Sequence, residues 1–92
     1  MGMTFRHKGL KLLYERGDRS KIRPDMVDKV QRFLTVLSQA EISTDVDLPG
    51  YGLHSLKGNL KGYWSATVSR NHRIIFRFGP DGPEDIDLVD YH

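Results

Sequence analysis

Apolar residues in the first third of the chain recur at helical spacing. Leu10, Leu13 and Tyr14 fall at i, i+3 and i+4, which predicts a short helix that Gly17 can terminate. A polar, basic connector runs from Arg16 to Arg23. Met26, Val27, Val30, Phe33, Leu34 and Leu37 then form a second stripe, so a longer helix is expected after Pro24. Asp25 is its expected N-cap, and Asp28 suits the positive end of the helix dipole in the first turn. The stripe is core. Lys29 and Arg32 lie off it and face water or a partner.

Beyond Ile42 the pattern changes. Ile42 to Gly52 is a loop rich in Asp, Ser, Pro and Gly, and Tyr51 to Leu56 predicts a short strand. A loop with two glycines and two lysines follows, from Lys57 to Gly62. Trp64, Ala66 and Val68 alternate with Tyr63, Ser65 and Thr67, the period of a half-buried strand. Arg70-Asn71 predicts a tight turn, since asparagine tolerates positive φ. Ile74, Phe76 and Phe78 alternate with Arg73 and Arg77 in the next strand. Gly79-Pro80-Asp81-Gly82-Pro83 is a turn, and the last strand is expected to begin over Ile86 to Val89. Two helices followed by an antiparallel meander predict an α+β fold, with two N-terminal helices packed on one face of a small antiparallel sheet.

Length bounds this picture: 92 residues fit a single domain, 1–92, and no internal repeat is visible. With no cysteine, the chain has no disulfide, zinc–thiolate site or thiol nucleophile. No apolar run approaches the ~20 residues of a membrane span. Met1 to Lys11 also lacks the apolar stretch of a secretory signal. A cytoplasmic location without a membrane partner is therefore expected.

Net charge is only +2, but its distribution is blocked. Residues 1–37 carry nine Lys/Arg against four Asp/Glu, and residues 38–56 hold three acids and no Lys/Arg. Residues 57–77 hold five cations and no acid, and residues 78–92 hold five acids and no cation. Such blocks imply a basic face and an acidic face. A basic face attracts polyanions, of which nucleic acid is the commonest. The alternative is a solvated, highly charged small domain.

If helices cover the apolar face of the sheet, the other face presents Arg73 and Arg77, flanked by Lys57 and Lys61. The histidines are His7, His54, His72 and His92. Asp90-Tyr91-His92 places a carboxylate, a phenol and an imidazole within three positions. Cutting a phosphodiester needs a base for the nucleophile's proton, an acid for the leaving oxygen, and cations for the developing charge. Histidine suits both proton-transfer roles, having an unperturbed pKa of ~6.5. Lys and Arg stabilise charge without a metal. With RNA as substrate the 2′-hydroxyl is itself the nucleophile, so no activated serine or cysteine is required. Each residue also has a plainer role: His7 and His72 as hydrogen-bonded surface residues, Arg73 and Arg77 as solubilising groups, Tyr63 and Trp64 as packing. No histidine has a close ligand partner in sequence except His92 with Asp90, so no metal or other cofactor is expected.

Taken in order, the fragments resemble the HigB branch of the RelE/ParE toxin superfamily, small toxins of bacterial type II toxin–antitoxin pairs. Those fragments are Phe5 to Leu13 with Gly17, Leu53-His54-Ser55-Leu56-Lys57-Gly58, Gly62-Tyr63-Trp64-Ser65, Asn71-His72-Arg73-Ile74 and the Asp90-Tyr91-His92 tail. The resemblance covers essentially the whole chain. It implies a ribosome-dependent endoribonuclease that cuts mRNA in the A site by metal-independent transesterification. It also implies His54, Lys57, Arg73, Asp90, Tyr91 and His92 as catalytic candidates. Lys57 and Arg73 would bear transition-state charge; His54, Asp90 and His92 would move or orient protons; Tyr91 would position the nucleotide. Lys8, Lys11, Lys61, Asn71 and Arg77 are candidate RNA contacts, with a backbone role open for Asn71. The implied partners are the ribosome with mRNA and a helix-turn-helix, HigA-like antitoxin, with operator DNA reached only through that complex. The runner-up is a binding protein without nuclease activity, either a ParE-like toxin acting on gyrase or a plain RNA-binding module.

Overall fold

The computed structural model describes residues 2–90. Two helices, α1 (Lys8–Arg16) and α2 (Val27–Leu37), precede a four-stranded antiparallel sheet. Its strands are β1 (His54–Ser55), β2 (Trp64–Thr67), β3 (His72–Gly79) and β4 (Gly82–Asp90), in that spatial order. The α+β expectation holds, but the helices do not open the fold. Residues 4–7 come first, and Phe5 bridges Ile86 in parallel. The Arg6 amide donates to the Ile86 carbonyl at 2.8 Å and the Ile86 amide donates back to Thr4 at 3.0 Å. This segment covers the β4 edge, which would otherwise offer unpaired backbone to another chain.

His7 caps α1: its Nδ1 accepts the Leu10 amide at 3.1 Å. Gly17 ends the helix at φ 68°, where a side chain would be strained, and its amide bonds back to the last turn. Asp25 is not the cap of α2. Pro24–Met26 forms a 3₁₀ turn, and the Asp25 carboxylate instead takes the Arg23 guanidinium at 2.7 Å. Asp28 does stand in the first turn. Met26, Val27, Val30, Phe33, Leu34 and Leu37 are all buried against Ile74, Phe76, Ala66 and Ile86. Phe33 sits 5.7 Å from Phe76 and 5.3 Å from Tyr51, centroid to centroid, so aromatic packing joins α2 to the sheet.

The strands depart from expectation at both ends of the sheet. The first is only two residues long, because Tyr51 turns inward to α2 instead of extending the strand. The last begins at Gly82, since Pro80 and Asp81 alone turn the chain. A register shift between Ile75 and Arg77 bulges β4, where Asp85 adopts φ 55°. The Thr4 hydroxyl accepts the Asp85 amide at 3.0 Å, tying the bulge to the N-terminal segment.

Candidate active site

Strand register determines which candidates share a face, because partnered residues point the same way. His54 pairs with Ser65, Ser65 with Ile75, and Ile75 with Asp87. The neighbouring row is Thr67, Arg73 and Val89. Both rows lie on the face opposite the one where Ala66, Ile74 and Phe76 meet the helices. Strand spacing and rise put the His54 and Arg73 Cα atoms about 12 Å apart. A phosphodiester group fits between two side chains rooted at that separation.

His54 is exposed, and its Nδ1 lies 3.0 Å from the Gly52 carbonyl. A carbonyl oxygen only accepts, so Nδ1 donates, and the neutral ring presents Nε2 as an acceptor. With Nδ1 engaged, Nε2 is the nitrogen available to take a proton from a substrate. The carbonyl is aimed by two left-handed glycines, Gly50 at φ 86° and Gly52 at φ 54°. Tyr51 between them is the anchor. Its hydroxyl donates to the Lys29 carbonyl at 2.8 Å, its own carbonyl accepts the Thr67 amide at 2.6 Å, and Lys29 Nζ stands 4.9 Å from its ring. Burial pushes the Tyr51 phenol above its ordinary value of 10.0.

Lys57 and Lys61 bracket a 3₁₀ turn, Gly58–Leu60, and both are exposed. The Leu56 amide donates to the Tyr63 carbonyl at 2.9 Å, closing this hairpin. The lysines thus stand at the Tyr63 end of β2, and Arg73 pairs with Thr67 at the other. Arg73 is half-buried, with one terminal guanidinium nitrogen inaccessible to solvent.

Arg77 shares the face but is engaged by acids: its Nη2 meets Glu84 at 2.5 Å and its Nε meets Asp85 at 3.3 Å. Tyr63 donates to the same Asp85 oxygen at 3.0 Å, and the Arg77 guanidinium carbon lies 5.8 Å from the Tyr63 ring centroid. Desolvation first, then the bond to Asp85 and its charge, raise the Tyr63 phenol above its ordinary value.

Other candidates are placed elsewhere. Asp90 pairs with His72, on the side of β4 that carries Leu88, not on the face of His54 and Arg73. Asn71 is exposed at the β2–β3 turn, which His72 closes with Nδ1 at 2.8 Å from the Ser69 hydroxyl. Lys8 and Lys11 stand on α1 in the helix layer, beside a shallow cleft of about 380 Å³ lined also by Phe5, Arg6 and Arg16. Tyr91 and His92 lie outside the described residues. Sequence reasoning missed Asp87, which shares the row of His54, Ser65 and Ile75; the alternation Asp85, Asp87, Val89 against Ile86, Leu88 carried that signal. It also missed Tyr51 as the support of His54. Among the described residues no group of three metal-ligating side chains assembles.

The comparisons bear on what this face does. Residues 3–92 match the model of a family described as RelE-like toxins of type II toxin–antitoxin systems, HigB. Endoribonuclease HigB of Proteus vulgaris is 39% identical over 89 residues, with 97% of each chain covered. Toxin HigB-1 of Vibrio cholerae is 32% identical over 80 residues, covering 85% of this chain and 84% of that one. Among solved structures, a YafQ mutant from E. coli aligns with TM-score 0.66 at 19% identity, over 97% of this chain and 91% of that one. YoeB in its complex with YefM from Staphylococcus aureus aligns with TM-score 0.63 at 23% identity, over 100% and 97%. At those identities the structures establish the shared fold. The match over nearly the whole sequence, on a sheet that exposes an imidazole, two lysines and an arginine, places the chain in the HigB-like family of RelE-type toxins.

Proposed function

We infer that this chain is the toxin of a type II toxin–antitoxin pair and an endoribonuclease that cuts mRNA on the ribosome, using the open sheet face around His54. The observation that carries the reading is the 3.0 Å contact of His54 Nδ1 with the Gly52 carbonyl, which leaves Nε2 free on the sheet face that also carries Arg73.

In this scheme His54 Nε2 takes the proton of a ribose 2′-hydroxyl as its oxygen attacks the adjacent phosphorus. Arg73, on the face of His54, stabilises the extra negative charge on the phosphoryl oxygens, and Lys57 is assigned to the same charge from the other end of β2. The P–O5′ bond breaks, leaving a 2′,3′-cyclic phosphate, and the 5′-oxygen leaves with a proton. His92 is the donor assigned to that step, with Asp90 and Tyr91 orienting the tail and the nucleotide. Lys61 supplies a further phosphate contact. Lys8 and Lys11, on a separate basic surface, meet ribosomal RNA phosphates, and Asn71 contacts RNA from its turn. A helix-turn-helix antitoxin neutralises the toxin and carries the pair to operator DNA; the YoeB–YefM complex, on the same fold, supports an antitoxin partner.

The test is cleavage of a defined mRNA in a translating extract by the wild type and by Lys57→Ala and Arg73→Ala. Cuts that require ribosomes and fall at least ~10²-fold in each variant are expected. Cleavage unchanged in both variants overturns the site. No cleavage by wild type, in an extract shown to translate, overturns the activity.

A further inference from the structure

We propose that the Tyr63–Arg77 pair at the lysine end of the open face is a stacking platform for an unpaired nucleobase of the RNA substrate, and not a phosphate contact. The proposal rests on the reading of this face as an RNA site and specifies what Arg77 does there.

Arg77 belongs to the cation-only block of the sequence and stands on the same face as Arg73 and Ile75. Its electrostatic situation nevertheless differs from that of Lys57 and Lys61. Two carboxylates, Glu84 and Asp85, hold its guanidinium, whereas neither lysine has an ion pair among the described residues. A phosphate brought to Arg77 would meet those two negative charges as well. A neutral base would not. What Arg77 keeps is its plane: the side chain is 47% exposed, and the guanidinium lies over the Tyr63 ring. Planar guanidinium and aromatic surfaces are what unstacked RNA bases bind.

The platform is built before any ligand arrives. The Tyr63 hydroxyl is fixed by Asp85, and Asp85 is fixed by Thr4 across the bulge. Glu84 is seated by an absent side chain: a Cβ on Gly79 would lie 1.8 Å from its Oε1. Gly79 is therefore the residue that lets Glu84 lie flat and clamp Arg77. Groups held this way lose little entropy when a base stacks on them. Lys57 and Lys61 emerge beside Tyr63, so a strand whose phosphates meet the lysines brings a base to the platform.

Salt dependence separates the two roles. A cation that neutralises a phosphate of single-stranded RNA contributes about 0.7 to the slope of log K against log salt; a stacked base contributes nothing to it. The test measures binding of the isolated protein to an uncleavable 2′-O-methyl oligonucleotide, and to the same backbone made abasic, across a salt series. The wild type is expected to prefer the base-bearing strand by about fivefold or more. Arg77→Lys keeps the charge and loses the plane; it should abolish that preference and leave the slope unchanged. Tyr63→Leu should do the same, and Lys57→Ala should lower the slope by about 0.7 and keep the preference. A wild type indifferent to the bases, or an Arg77→Lys variant that retains the preference, overturns the proposal. Because the oligonucleotide cannot be cut, these outcomes are independent of whether the protein cleaves mRNA.

Discussion

The two hairpins of the sheet are built to opposite specifications. The β3–β4 hairpin pairs eight residues with nine, buries Ile74, Phe76 and Ile86 completely, and has its outer edge covered by residues 4–7. The β1–β2 hairpin pairs two residues of β1 with β2, and both His54 and Ser55 are exposed. Much of the core hangs on the first hairpin, and the second carries His54 with Lys57 and Lys61 close behind. A short edge strand with little to bury can spend its positions on exposed imidazole and ammonium groups, provided something else holds it. Here that something is Tyr51, wedged under α2 and bonded to both Lys29 and Thr67.

The largest expected break in this contrast is in the long hairpin. Phe76→Ala removes a wholly buried ring that touches Phe33 and Phe78, and should cost about 3–5 kcal/mol in denaturant unfolding. Next comes the hinge of the short hairpin. Gly52→Ala forces a side chain into φ 54° and should cost about 1–2 kcal/mol, with a larger proportional loss of RNA cleavage because the His54 tautomer is set there. Tyr51→Phe deletes one hydrogen bond and should cost about 1 kcal/mol, read as a fall of several degrees in Tm.

The smallest effect is a dependence on pH. The Tyr51 phenol is raised in the folded chain, so folding favours its protonated form. Its contribution is complete below the ordinary value near 10 and is lost as pH climbs through the raised value. Stability should therefore decline above about pH 10 in the wild type, and Tyr51→Phe should flatten that decline in a pH series of unfolding curves.

Much of the scaffold was legible in the sequence, since the helix stripes and the β3 alternation are local periodicities that burial obeys. Local rules failed where a competing contact decided the outcome. Asp25 looks like a cap until Arg23 takes its carboxylate and Pro24 tightens the turn. Tyr51 looks like a strand residue until Phe33 and the Lys29 carbonyl draw it inward. The parallel bridge from Phe5 to Ile86 joins chain ends whose pairing has no local signal. On the site face, Arg73 and Arg77 followed from strand parity and His54 from the resemblance; register alone would have added Asp87 and set Asp90 on the other side. In the sequence Arg77 reads as an RNA contact or a solubilising group, because its acids lie on the next strand, where the bulge brings Asp85 to it beside Glu84.

The account turns on His54 as the base of a cleavage carried out on the short hairpin. The most direct test compares wild type with His54→Ala on ribosome-bound mRNA, monitoring the cutting rate and the folded state together. The account predicts a fall of about 10²–10⁴-fold in rate with the unfolding midpoint nearly unchanged, since the side chain is exposed. Equal cutting by the two proteins would contradict it, leaving His54 as no more than the first residue of a short edge strand.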